Sequence, residues 1–443
     1  MGPGKSDAPT RRSIPAMHVV AVVLGNGLEF YDFLSYAIFA VYIGKTFFPA
    51  HDPSINLIFS VATFGIGFVT RPVGGIVLGM LGDRAGRKPA MIISFVLMGL
   101  GMLGVALTPG YAQIGIAAPI LLVCFRLVQG FALGGEIGPN TAYLIEAAPP
   151  ERRGFYGAMQ FASQDASTLV ASSVALALTS LLTQHDLEAW GWRLAFLLGV
   201  VIVPFGILLR RTLPETLHAA DDAALAPDAT SGSLQADRRI RPYVKLIIAG
   251  FALFASFTIG AYIIDYMTSF ALNTLHFSTP AAFGVTFVTS LTAVFFDCTS
   301  GILSDRFGRR AVMIVPGAIL LLLVVPAFWV ITRYPSALTL YAMMGTLQIV
   351  FSLTSTPGTI AVTESLPRHI RSGVVSTVYA FAIAIFGGST QFAVSSLIRL
   401  TGNPMMPAFY WVGAIVLGVL AAMAMPESAP AKTRALAGAT RSL

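Results

Sequence analysis

Apolar residues run in twelve long stretches, near residues 17–43, 56–82, 89–109, 114–146, 155–183, 193–211, 243–272, 280–303, 311–332, 337–364, 371–400 and 403–425, with short polar breaks between them. A helix rising about 1.5 Å per residue needs about 20 apolar residues to cross a hydrocarbon core, and each stretch meets that length. The pattern predicts an all-α membrane protein of twelve transmembrane helices. One break is long: residues 212–242, rich in Ala, Asp, Ser and Arg and without apolar periodicity, read as a linker. The expected organisation is an N-terminal tail (1–16), a six-helix half (17–211), the linker (212–242), a second six-helix half (243–425) and a C-terminal tail (426–443).

Composition agrees with lipid as the solvent. Of 443 residues, 55% are hydrophobic and 11% charged, whereas soluble domains carry roughly 25% charged residues. The net charge of +7 is not gathered into a patch, so it does not point to nucleic acid. Of the 28 Lys and Arg, 22 fall in the tails and breaks on the side of the termini, four (Lys45, Arg193, Arg333, Arg399) on the other side, and two (Arg71, Arg126) inside spans. By the positive-inside rule both termini are expected in the cytoplasm. Met1 to Pro15 lack the apolar core of a cleavable signal peptide. Cys124 and Cys298 lie in spans of opposite halves and are not expected to pair.

The chain repeats itself. Gly79-Met-Leu-Gly-Asp83-Arg84-Ala-Gly86-Arg87-Lys88 follows the second span, and Gly301-Ile-Leu-Ser-Asp305-Arg306-Phe-Gly308-Arg309-Arg310 follows the eighth. Glu146, Pro149, Arg153 and Gly154 after span four match Glu364, Pro367, Arg371 and Gly373 after span ten, and Pro214-Glu215-Thr216 matches Pro426-Glu427-Ser428. Three motifs at nearly one offset predict a duplicated six-span unit, a known transporter architecture.

The repeated Gly-x-Leu-x-Asp-Arg-x-Gly-Arg-Lys loop resembles the signature of the major facilitator superfamily, and the resemblance covers the whole chain. It implies two pseudo-symmetric six-helix halves and a cytoplasmic latch made and broken as a central cavity changes sides. The residues so implied are Asp83, Arg84, Arg87, Glu146 and Arg153, with Asp305, Arg309, Glu364 and Arg371. Further likenesses are Gly25-Asn26-Gly-Leu-Glu29-Phe-Tyr31-Asp32, Arg71-Pro72-Val-Gly74, Arg126-Leu-Val-Gln129-Gly130 and Gly134-Gly135-Glu136. These resemble the metabolite:proton symporter family, above all its citrate-proton symporters. The resemblance implies proton-coupled uptake of a small organic acid such as citrate or a related tri- or dicarboxylate. It also implies a bacterial inner membrane location and a monomeric functional unit.

Charges inside spans are costly unless a cavity, a partner or a proton meets them, so they mark candidate sites. Glu29, Arg126 and Asp165 are expected near the midplane. Arg126 offers a planar fork matched to a carboxylate and is the expected substrate anchor, with Asn26, Gln129, Gln160, Gln164, Tyr262 and Tyr266 as polar neighbours. Arg71, beside Pro72, reads as structural. A carboxylate desolvated in a cavity takes up a proton more readily than in water, which makes Glu29, Asp32, Asp165 and Asp297 the proton-coupling candidates, with Asp265 behind them. Glu136 reads as packing or latch. Asp165, Asp265 and Asp297 depart from the citrate pattern, so uptake of a zwitterionic or less charged metabolite (proline or betaine, shikimate-like) stays open. Export by proton antiport is a further alternative, against which span five lacks a proline between Gly154 and Gln184. An enzyme is not expected. The six histidines are scattered, so no metal site is predicted, and no cofactor is expected. No Walker-type loop is present, which leaves an ion gradient as the energy source.

Overall fold

A computed structural model describes residues 16–48, 53–216, 241–430 and 432–433. Most of the predicted tails and linker lie outside them. Within them are twelve long helices: α1 (Ala16–Phe47), α2 (Pro53–Arg84), α3 (Arg87–Leu107), α4 (Ala117–Ala147), α5 (Arg153–Leu181), α6 (Trp192–Arg211), α7 (Val244–Asn273), α8 (Thr279–Phe307), α9 (Arg309–Arg333), α10 (Ala337–Ser365), α11 (Arg368–Thr401) and α12 (Met406–Ala424). Single turns at Tyr111–Ile114 and Gln184–Asp186 and a π-helical turn at Leu187–Gly191 connect some of them. No strand occurs among the described residues.

Eleven of these helices are long and apolar enough to cross a membrane. The exception is α5, which at 29 residues is long enough but carries Gln160, Ser163, Gln164, Asp165, Ser167 and Thr168. Its hydroxyls turn back on their own helix: Ser163 Oγ donates to the Gln160 carbonyl and Ser167 Oγ to the Ser163 carbonyl, both at 2.7 Å. Such internal bonds let a polar helix stand in a bilayer without exposed donors. Prolines 72, 139, 204, 316, 326 and 357 lie inside helices, tolerated where neighbouring helices re-satisfy the freed backbone groups.

The apolar cores are confined to one half or the other. Tyr36, Phe39, Phe47, Trp192 and Phe196 form one cluster in the amino half, and Met267, Phe270, Phe328, Met344 and Trp411 one in the carboxyl half. The seam between halves is different. There α2 packs on α11 and α5 on α8, through close glycine and serine contacts such as Gly79 on Gly373 and Ser376, with the Phe68 ring against Tyr262 further along. At the α5–α8 crossing a Cβ on Gly154 would meet the Gly301 carbonyl oxygen at 2.5 Å, and a Cβ on Gly301 the Gly154 carbonyl oxygen at 2.5 Å. Only glycine allows that approach, as in small-residue helix contacts generally. The two halves are thus separate apolar bodies joined along a seam of small residues, polar side chains and a few aromatic rings.

The loop glycines also repeat. Gly86 and Gly308 have φ of 109° and 101°, a region closed to side chains at ordinary cost, and each starts the helix after its loop.

Gly301→Leu is expected to wedge α8 from α5 and lower the unfolding midpoint in detergent by several degrees, as overpacking does at about 1–3 kcal/mol. Gly413→Leu in α12, where nothing lies within 4 Å of a built Cβ, is the control and should leave it unchanged. Equal midpoints for both variants would show the crossing to be loose.

Candidate functional site

The seam encloses a cavity of about 220 Å³ lined from both halves. Arg71 comes from α2, Gln164 and Asp165 from α5, Tyr262 and Asp265 from α7, and Asp297 from α8. Counting about 1.5 Å per residue from the nearer helix ends puts Arg71, Asp165 and Asp297 roughly 15–20 Å deep, the middle of a hydrocarbon core about 30 Å thick.

Arg71 is buried, its guanidinium carbon 4.8 Å from the Phe33 ring centroid and 4.3 Å from that of Phe68. Tyr262 and Tyr379 of the other half stand beside it. Among the described residues no carboxylate lies within ion-pairing distance of it, and its Nε has no hydrogen-bond partner. A cation held on aromatic faces and aimed into a cavity is ready to receive an anion. Sequence position beside Pro72 suggested a structural role; the structure instead makes Arg71 a cavity residue.

Arg126, the expected substrate anchor, is placed outside the central cavity. It lies beside the central cavity in a pocket of about 10 Å³ with Asp32 and Gln129. Its Nη1 is 3.5 Å from Asp32 Oδ2 and donates to Gln129 Oε1 at 2.7 Å, while Gln129 Nε2 donates to Asp32 Oδ2 at 2.8 Å. Tyr36 closes the ring set, its centroid 4.0 Å from the Arg126 Cζ. The charge of Arg126 is therefore answered within the amino half.

Glu29 does not reach the cavity. It is fully buried, 3.5 Å from Arg210 Nη1, and Arg210 Nη2 also pairs with Glu136 at 2.9 Å. Asn140 also donates to Glu136. This is an α1–α4–α6 core network, which α1 alone could not reveal because its cation lies 181 residues along the chain. Asn26 donates to the Gln160 carbonyl and to Ser163 Oγ, both at 2.9 Å, and Gln160 accepts from Thr141 at 2.8 Å, so both tie helices together. Tyr266 is buried in the carboxyl-half core. Of the expected polar neighbours, Gln164 and Tyr262 line the central cavity.

The two carboxylates that do meet are Asp165 and Asp297, whose carboxyls lie within hydrogen-bonding reach of each other across the seam. Thr356 of α10 donates to Asp297 Oδ1 at 3.0 Å. Asp265 opens on to the same cavity.

On the face that carries the repeated loops, the motif charges form two related networks. Arg87 Nη1 bonds Asp83 at 2.6 Å, its Nη2 bonds Glu146 at 3.1 Å, and Glu215 accepts from the backbone N–H of Arg87 at 2.9 Å. In the second half Arg309 bonds Asp305 at 2.8 Å and Glu364 at 3.1 Å, and Glu427 accepts from the Arg309 N–H at 2.8 Å. Each network also reaches across the seam. Asp83 accepts from the N–H groups of Ser372 and Gly373 near the start of α11, at 2.9 and 2.6 Å, and Asp305 from those of Gly154 and Phe155 at the start of α5, at 2.8 and 3.0 Å. A carboxylate at a helix N-terminus meets free donors and the positive end of the helix dipole. Arg371 adds a 3.1 Å bond to Glu146 across the seam. Arg153 stands at the start of α5. Arg84, expected among these charges, is exposed and outside both networks.

Sequence reasoning found Glu215 and Glu427 only as repeated positions and gave neither them nor Arg210 a place in these networks. The Pro-Glu-[Thr/Ser] repeat was the available signal for the first two.

Comparison with known proteins agrees with this architecture. The family model described as Major Facilitator Superfamily matches residues 22–389. The chain is 36% identical over 405 residues to a citrate-proton symporter of Klebsiella pneumoniae, covering 91% of this chain and 90% of that protein. It is 30% identical over 431 residues to a proline/betaine transporter of Salmonella typhimurium, covering 95% and 85%. A solved proton:xylose symporter bound to 6-bromo-6-deoxy-D-glucose superposes with a TM-score of 0.79 at 19% identity, over 93% of this chain and 96% of that one. Fold and relatives are those of transporters, not enzymes.

Because Glu29 pairs away from the cavity, Glu29→Gln is expected to leave any pH dependence of activity unchanged. Arg210→Ala strands two buried carboxylates and should cost about 3–5 kcal/mol, seen as loss of folded protein on size-exclusion chromatography. A stable, monodisperse Arg210→Ala protein would contradict the core assignment.

Proposed function

Since the chain belongs to the major facilitator superfamily of membrane transporters, we propose that it is a proton-coupled symporter of a small organic acid, working by alternating access. The observation that carries this is the mid-bundle cavity shared by both halves, with Arg71 facing three aspartates. Arg71 holds a substrate carboxylate; the aspartates supply a group able to take a proton. The halves, 17–211 and 243–425, rock about the cavity, joined by the linker 212–242. The two repeated networks act as the latch on the cytoplasmic side, where the distribution of Lys and Arg also puts the termini. The membrane is the bacterial inner membrane. Citrate or a related tri- or dicarboxylate leads as substrate, supported by the likeness to the Klebsiella symporter.

One observation favours a second substrate class. Three carboxylates against one guanidinium, among aromatic rings, suit a zwitterion, whose cationic end such a lining would attract.

Uptake into proteoliposomes under an imposed inward proton gradient tests both readings, with labelled citrate and labelled betaine as separate probes. Gradient-dependent citrate uptake supports the first, betaine uptake without citrate uptake the second, and neither would sink both. With whichever probe is taken up, Arg71→Ala should lose about ten- to a hundredfold in kcat/KM, the worth of a hydrogen bond to a charged group. Arg71→Lys should recover part of it. Wild-type uptake by Arg71→Ala would remove the anchor.

A further inference from the structure

We propose that Asp165 and Asp297 hold the coupling proton jointly, as a carboxyl–carboxylate bridge between the two halves, so that the proton is itself part of the seam. This rests on the symport reading above and says where the proton sits and what it does there.

The geometry is specific to an inter-half site. Asp165 belongs to α5 and Asp297 to α8, the pair of helices that close on each other through Gly154 and Gly301. Both side chains line the central cavity, and their carboxyls are within hydrogen-bonding reach. An ionised carboxylate only accepts hydrogen bonds. Two carboxyl groups in mutual contact therefore need one proton between them, as in other sites where two carboxylates are pressed together.

The surroundings fix the rest. Thr356 Oγ1 donates to Asp297 Oδ1 at 3.0 Å, and Ser352 lies beside it on α10. Among the described residues no donor of the amino half reaches Asp165. Asp297 is thus furnished with donors from its own half, whereas Asp165 depends on its partner across the seam. The other charged and titratable groups facing the cavity are Arg71 on α2, Asp265 and Tyr262 on α7 and Tyr379 on α11. Asp265 adds negative charge on the Asp165 side. The Asp32–Arg126 pair in the adjoining pocket is internally neutral. Arg71 is the cavity's cation, and a bound carboxylate would take it, leaving the aspartates to be neutralised by protons.

Coupling follows from position. With the proton in place, α5 and α8 are drawn together at mid-membrane; without it, two like charges face each other across the helix crossing that has to loosen when the halves rock. The same proton that balances the cavity charge also governs the approach of the halves. The step is a proton transfer alone: an O–H bond forms on the shared carboxyl pair as water gives up the proton, and breaks as water takes it back.

Two measurements test this. The first is infrared spectroscopy of the purified full-length protein in liposomes while pH is stepped, reading the carbonyl band of protonated carboxyl groups. A band is expected in the wild type that is lost in both Asp165→Asn and Asp297→Asn and kept in Asp265→Asn. A band that survives both single substitutions overturns the proposal. The second uses the probe, citrate or betaine, that the wild type takes up. Both variants should lose gradient-driven accumulation by a larger factor than they lose exchange of labelled for unlabelled probe without a gradient. Accumulation that stays gradient-driven, or exchange lost by the same factor in folded protein, overturns the shared-proton role. A wild type that takes up neither probe defeats the symport reading alone, and the infrared result still decides the pair.

Discussion

A charge set inside a hydrocarbon layer has to be met by a counter-charge, by water or by a proton, and this requirement sorts the buried ionisable groups of the bundle. Arg210 is met by Glu29 and Glu136, and Arg126 by Asp32 with Gln129 as a bridge. Both sets lie wholly in the amino half and can stay closed through any relative motion of the halves. Arg71, Asp165, Asp265 and Asp297 are different, because they face a cavity whose walls come from both halves. What they lack from the protein, a ligand or a proton can supply. The division between structural and functional charge is therefore a division between charges answered within one half and charges answered only at the seam.

The two repeated loop networks obey the same logic in a different setting. Its cross-half bonds run largely from backbone N–H groups near helix starts to Asp83 and Asp305, and the arginines orient those carboxylates from their own halves. The donors need no side-chain rearrangement to be offered again after release, since they belong to helix starts that persist. Glu215 and Glu427 hold the turn after Gly86 and Gly308 by the same device. Duplication thus provides two copies of a bond that can be broken without unfolding either partner.

Much of this was legible in the chain. Twelve apolar runs gave the twelve helices, because span length and apolarity are local properties; α5, the most polar of them, was still visible by length. The repeats located the two charge networks, since Asp83 with Arg87 and Asp305 with Arg309 are four residues apart in matching loops. What stayed hidden was the azimuth of single side chains. Asn26, Glu29 and Asp32 recur at three-residue steps and share one side of a helix loosely, yet they meet α5, α6 and α4 respectively. Which of them faces a cavity depends on Gln160, Arg210 and Gln129, and no local pattern ties those positions to α1. For the same reason it is Arg71, and not Arg126, that lines the central cavity: both are arginines of the amino half near the midplane, and only packing decides which one Asp32 neutralises.

That exchange bears on substrate recognition. An arginine already paired can bind a substrate carboxylate only by giving up a buried partner, which then stands uncompensated. An arginine on aromatic faces gives up much less, since cation–π contacts to Phe33 and Phe68 persist when an anion arrives from the cavity side. On this argument a reversible carboxylate site is better built on Arg71 than on Arg126, as the proposed function has it. Arg126 ties α1 to α4 through Asp32, and Arg71 keeps its guanidinium toward the cavity.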